Sequence, residues 1–101
     1  MSDFGEEIAT LLAKVEKTRY EFLQTELQAC YISLDFAQFE YERRNVPFAN
    51  HEIENTLKGI AVIERFLPKL PGERQTELRQ KLASLKASLE SVQVEFQGQA
   101  A

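Results

Sequence analysis

Residues 23–48 read LQTELQACYISLDFAQFEYERRNVPF, and the fold turns on how this stretch runs and how it stops. No glycine or proline occurs between Glu6 and Asn45, so nothing in the backbone chemistry interrupts a helix there. Arg43 and Arg44 then place cations at a helix C-terminus, Asn45 can take a left-handed cap, and Pro47 suits the first turn of a following helix, where its missing N–H costs nothing. At the other end, Asp3 with Glu6 three residues later has the spacing of a capping box. Further along, Leu67-Pro68-Lys69-Leu70-Pro71-Gly72 cannot continue a helix, because each proline removes a donor and restricts the residue before it. These breakers predict an all-α fold: a three-helix antiparallel bundle with coiled-coil-like packing, its helices over about residues 3–44, 47–67 and 72–96, and a frayed tail at 98–101. A chain of 101 residues is the size of one ordinary domain, and a single helical domain is expected.

Apolar periodicity assigns the faces. In the third helix Leu78, Leu82, Leu85, Leu89, Val92 and Phe96 alternate steps of four and three, a coiled-coil seam. The second helix has Ala49, Ile53, Leu57, Ile60, Ile63 and Leu67 on one stripe, with Thr56 and Ala61 at its borders. Gly59, inside that helix, costs about 1 kcal/mol against alanine and points either to a close helix crossing or to simple drift. The first helix is apolar on two sides. Leu23, Leu27, Cys30, Leu34, Ala37 and Tyr41 form one stripe; Ala29, Ile32, Phe36 and Phe39 form another, roughly 150° away at ~100° per residue. Tyr31, Asp35, Gln38 and Glu42 separate them on one flank, with Ser33, Glu40 and Arg44 on the other. This arrangement predicts a helix sandwiched between two layers; Phe36, Phe39, Tyr41 and Phe48 are expected to form the core there or else to line an aromatic groove at the hairpin's open face that accepts a partner helix, with Tyr31 exposed.

Length adds a separate argument. A continuous first helix would span ~63 Å, while the other two reach only ~30 to ~38 Å, so its N-terminal half protrudes. That half carries Phe4, Ile8, Leu11, Leu12, Val15, Phe22 and Leu23, an apolar stripe costly to leave in water. Either a second copy covers it, giving a homodimer, or the helix breaks near Lys17 to Tyr20 and folds back as a fourth helix. No glycine or proline lies between Val15 and Tyr20 to make that break, which favours the dimer. Ile8, Leu11, Leu12, Val15, Phe22, Ile32, Phe36 and Phe39 are thus the expected interaction residues, facing a second copy or else another protein's amphipathic helix. Whether two copies would run parallel or antiparallel stays open at this level.

Composition narrows the function classes. Hydrophobic residues at 44% and charged ones at 28% are the balance of a folded globular chain. The net charge of −4, with both signs interspersed, provides no basic footprint for nucleic acid. No apolar run approaches the ~20 residues of a membrane span, and the acidic start leads into no secretory h-region. With Cys30 as its single cysteine, the chain cannot form an intramolecular disulfide, and the cytoplasm is the expected location.

Motifs for chemistry do not assemble. His51 is the one histidine, and His51 with Glu54 is a single reversed pair where a carboxylate-bridged bundle needs Glu-x-x-His on two helices. Cys30 lies on the Leu27–Leu34 stripe, as a small buried hydrophobe does. Asp35, Glu40 and Glu42 belong to polar flanks, and no phosphate loop, GxSxG or HExxH occurs. No metal, no cofactor and no catalysis are expected.

The stretch Leu34, Ala37, Asn45, Ala49, Ile53 and Thr56 resembles one tetratricopeptide-type helix pair, with Ala37 and Ala49 as the small residues, Asn45 at the turn, and Ile53 and Thr56 as the next packing positions. The chain departs from that pattern in having Glu40 where an aromatic is expected, a longer first helix and no second ~34-residue repeat. In outline it is also similar to the three-helix microtubule-interacting-and-transport domain and to small bacterial helical proteins. The resemblance implies protein or peptide binding rather than catalysis, as in an adaptor that receives a partner's helix.

Overall fold

The computed structural model describes the chain over residues 2–100 and its side chains over residues 4–98. It contains α1 (Ser2–Glu42), α2 (Val46–Phe66), one 3-10 turn (Leu67–Lys69) and α3 (Gly72–Ala100). Among the described residues there is no strand. The all-α three-helix bundle is as the breakers predict, with boundaries shifted: α1 opens at Ser2, ahead of the expected cap at Asp3, and closes at Glu42 rather than near Arg44. Helix α3 runs on to Ala100, where a frayed tail was expected over residues 98–101; Ala101 lies outside the described residues. A lone Gly98 costs about 1 kcal/mol against alanine, too little to stop a helix already propagating.

The α1–α2 connection corrects one expectation. The Asn45 N–H donates to the Glu40 carbonyl at 2.8 Å and the Arg44 N–H to that of Tyr41 at 2.9 Å, the bond pair of a Schellman motif. Arg44, not Asn45, takes the left-handed position (φ 64°). Asn45 is already committed to opening α2, where its carbonyl accepts the Ala49 N–H at 3.0 Å and Pro47 occupies the first turn. Its side-chain amide donates back to Glu40 Oε2 at 3.0 Å.

Helix α1 is the common neighbour. Helix α2 packs closely along it, α3 more loosely, and α2 and α3 meet through side chains, with Lys86 paired to Glu64 at 3.3 Å, rather than by close backbone approach. The difference has a local cause at Gly59, where a Cβ would overlap Cys30 Sγ: the missing side chain lets the two backbones come together. Phe22 meets Phe66 edge to face, with ring centroids 6.2 Å apart, so α2 runs antiparallel to α1. Helix α3 returns parallel to α1. The Tyr20 hydroxyl donates to the Glu77 carboxylate at 2.5 Å near its start, and the Tyr41 hydroxyl donates to the Phe96 carbonyl at 2.8 Å near its end, with the two rings stacked 3.9 Å apart. The hydrogen bond from Tyr20, followed by that from Lys81, holds the Glu77 carboxyl below its usual value.

Leu23, Leu27 and Leu34 of α1, Ile60 and Ile63 of α2, and Leu78, Leu82, Leu85 and Leu89 of α3 meet in one buried cluster, each such side chain contributing ~1.5–3 kcal/mol. Leu23, which the sequence places both on the Leu27–Tyr41 stripe and at the end of the N-terminal apolar stripe, goes wholly to this core. On α2 the buried line is Ala49, Ile53, Thr56, Ile60 and Ile63, continued by Leu67 of the 3-10 turn in an unbroken alternation of four and three; Leu57 steps off it and is 46% exposed. Thr56 tolerates full burial because its hydroxyl donates to the Glu52 carbonyl at 3.0 Å. At the α2–α3 turn, Leu67 and Leu70 are buried, and the Gln75 amide donates to both their carbonyls, at 3.2 and 2.9 Å.

The body formed in this way begins near Arg19. Before it, α1 continues straight, with no break at Lys17 to Tyr20, so the folded-back fourth helix does not occur. A 41-residue helix is ~62 Å long, and it accounts for most of the molecule's 69 × 20 × 16 Å.

Candidate interaction surface

The side of α1 away from the core carries a single line of residues, Phe4, Ile8, Leu11, Val15, Thr18, Phe22, Thr25, Ala29, Ile32, Phe36 and Phe39, which Arg43 continues in the turn that follows. Steps of four and three alternate along it without a break, and every member is exposed. The large side chains on it range from 44% exposed (Ile8, Val15, Phe22) to 72% (Phe4), with Ile32, Phe36 and Phe39 near one half. All eight residues expected to make interactions are exposed; seven lie on this line and Leu12 lies beside it. The expected second layer over Ile32, Phe36 and Phe39 is missing from the single chain, and of the aromatics expected in the core only Tyr41 packs inward, stacked on Phe96, while Phe36, Phe39 and Phe48 face outward. Helices α2 and α3 both gather on the Leu23–Leu34 side, where each finds a continuous apolar stripe, and nothing remains to cover the other face. Tyr31 is at 36% exposure on the α3 flank, beside Asp35 and Gln38.

Two apolar depressions lie on the line. One is bounded by Val15, Thr18 and Phe22 of α1 with Phe66 of α2; the other lies among Ile32, Asp35, Phe36 and Phe39. The Arg43 guanidinium closes the far end, 5.3 Å over the Phe39 ring. Charged residues edge the line on both sides: Glu7, Lys14, Glu21, Asp35 and Glu42, all exposed, on the flank that borders α3 at Asp35, and Arg19, Glu26 and Glu40, partly sheltered, on the flank nearer α2.

No protein-family model, no curated protein and no solved structure matches the chain. The reading of the surface therefore rests on its own geometry.

The continuity of the line was missed in the sequence because Thr18, Thr25 and Ala29 carry little apolar signal between its two greasy halves. The signal that could have found it was the spacing itself, which holds its phase across those three small residues. Elsewhere the groups that might carry chemistry stay apart. Among the described residues no three His, Cys, Asp or Glu side chains gather to hold a metal ion, and no described helix is long and apolar enough to cross a membrane. Cys30 is buried, and its Sγ is 3.7 Å from the Thr56 carbonyl. Burial first, and the nearby Glu26 carboxylate second, push its thiol up to about 11, away from the thiolate a nucleophile needs.

Proposed function

We propose that this chain is a non-catalytic helical protein–protein interaction module that self-associates through its long N-terminal helix. The observation that carries the reading is the uncovered apolar line from Phe4 to Phe39. A strip ~53 Å long and ~10 Å wide presents on the order of 530 Å² per chain, toward the upper end of what monomers leave in water. Two such strips meeting bury about 1,060 Å², just past the ~1,000 Å² that a specific interface is expected to clear.

The test is solution mass by light scattering across a dilution series. The wild type is expected at twice the chain mass at tens of micromolar and to dissociate on dilution, whereas Phe36→Asp is expected at one chain mass with helicity unchanged, since Phe36 touches none of the core. A wild type of one chain mass at every concentration, fully helical, removes self-association and leaves the strip to an amphipathic helix from another protein.

A further inference from the structure

Resting on that reading, we infer that the two copies pair antiparallel along the full length of α1, so that each N-terminal arm covers the Ile32–Phe36–Phe39 stripe of the other. In this register Ile8 lies opposite the partner's Phe39, Leu11 opposite the partner's Phe36, and Val15 opposite the partner's Ile32. Both uncovered halves are shielded by one act of association. Near the two-fold axis Phe22 meets the partner's Thr25, and Thr18 meets the partner's Ala29, so a large residue faces a small one and small pairs stay close to it. A parallel pair in register would instead set Phe22 on Phe22 and Ala29 on Ala29, alternating crowding with gaps.

Charge decides the same way. In the antiparallel register the flanks bring Lys14 beside the partner's Asp35 and Arg19 beside the partner's Glu26, and two-fold symmetry makes each pair twice; the one opposed pair is Glu7 with the partner's Glu42. A parallel pair sets Lys14 against the partner's Arg19, Glu21 against the partner's Glu26, and Asp35 against the partner's Glu40, which are repulsive throughout. Sliding the antiparallel pair by one heptad stacks Glu26 on its own copy in one direction, and Arg19 and Glu21 on theirs in the other. Among the described residues Lys14, Arg19, Glu26 and Asp35 take part in no ion pair. The buried core lies on the other side of α1, and the body borders the line only along its flanks: Phe66 meets Phe22 beside the two-fold axis, and the Arg19 guanidinium donates only to the Lys69 carbonyl, at 3.4 Å.

Two measurements on the full chain test the orientation. A spin label at Thr10→Cys in a Cys30→Ala background is expected to give an intermolecular distance of about 40 Å, the axial offset between residue 10 and its copy; a parallel pair gives under about 25 Å. Lys14→Glu is expected to weaken the dimer roughly tenfold, with Asp35→Lys in the same chain restoring it. In a parallel pair Lys14→Glu faces the partner's Arg19 and tightens the dimer, so the sign alone separates the two. A short distance, or tightening by Lys14→Glu, overturns the antiparallel pairing and keeps self-association. Absence of any intermolecular distance at concentrations where helicity is complete overturns both.

Discussion

Arg44 holds a backbone conformation that only glycine adopts freely, because the connection must end α1 and open α2 within Arg43, Arg44 and Asn45. Among the described residues its side chain makes no hydrogen bond or ion pair that would offset the strain. Arg44→Gly is therefore expected to raise stability by about 0.5–1 kcal/mol, seen as a higher urea midpoint with an unchanged slope. Cys30 makes a second residue-level prediction, with a definite sign. Its thiol ionises at about 11 in the folded chain and near its ordinary value of about 9 in the unfolded one, so the unfolded state loses its proton first. The stabilisation is complete below pH ~9 and declines as pH rises toward 11. The thermal midpoint of the wild type is expected to fall more steeply over that interval than that of Cys30→Ala, and Cys30 is expected to react slowly with thiol reagents until the chain unfolds.

Helix pairs show how a local gap sets a global distance. Gly59→Ala gains about 1 kcal/mol of helix propensity but forces a methyl group onto Cys30 Sγ, an overpacking of about 1–3 kcal/mol, so net destabilisation is expected. In a Cys30→Ala background the methyl group has room, and the same substitution is expected to become neutral or stabilising. A double-mutant cycle by denaturant unfolding measures this coupling, and additive effects would mean that the helices do not cross there. Element existence and type were legible in the sequence, because proline and glycine punctuate it and the leucines of α3 keep strict phase. The α2 face was legible except at one position. Leu57 outranks Thr56 in hydrophobicity, yet Thr56 is buried, because the position on the wheel is set by where α1 and α3 lie and the threonine hydroxyl finds a carbonyl within its own helix.

On the scale of the molecule, α1 is an axle ~62 Å long with a three-helix body on its C-terminal half and an uncovered apolar line along the whole opposite side. If that line closes against a second copy, folding and association are linked. The thermal midpoint of the wild type is then expected to rise by several degrees for each tenfold increase in chain concentration, while that of Ile32→Asp stays constant. The sequence by itself determined the helices, the turns, the leucine seam of α3 and the apolar character of the eight exposed residues Ile8, Leu11, Leu12, Val15, Phe22, Ile32, Phe36 and Phe39, because backbone chemistry and periodicity act locally. Only the tertiary structure decided that α1 does not break, that α2 and α3 share one side of it, and that the two apolar segments of the other side form one line. Those outcomes depend on which of two competing stripes captures a neighbour. Leu23, Leu27, Cys30, Leu34 and Ala37 prevailed because they combine bulk with small residues that admit a close helix at Gly59, a fit that no residue carries alone.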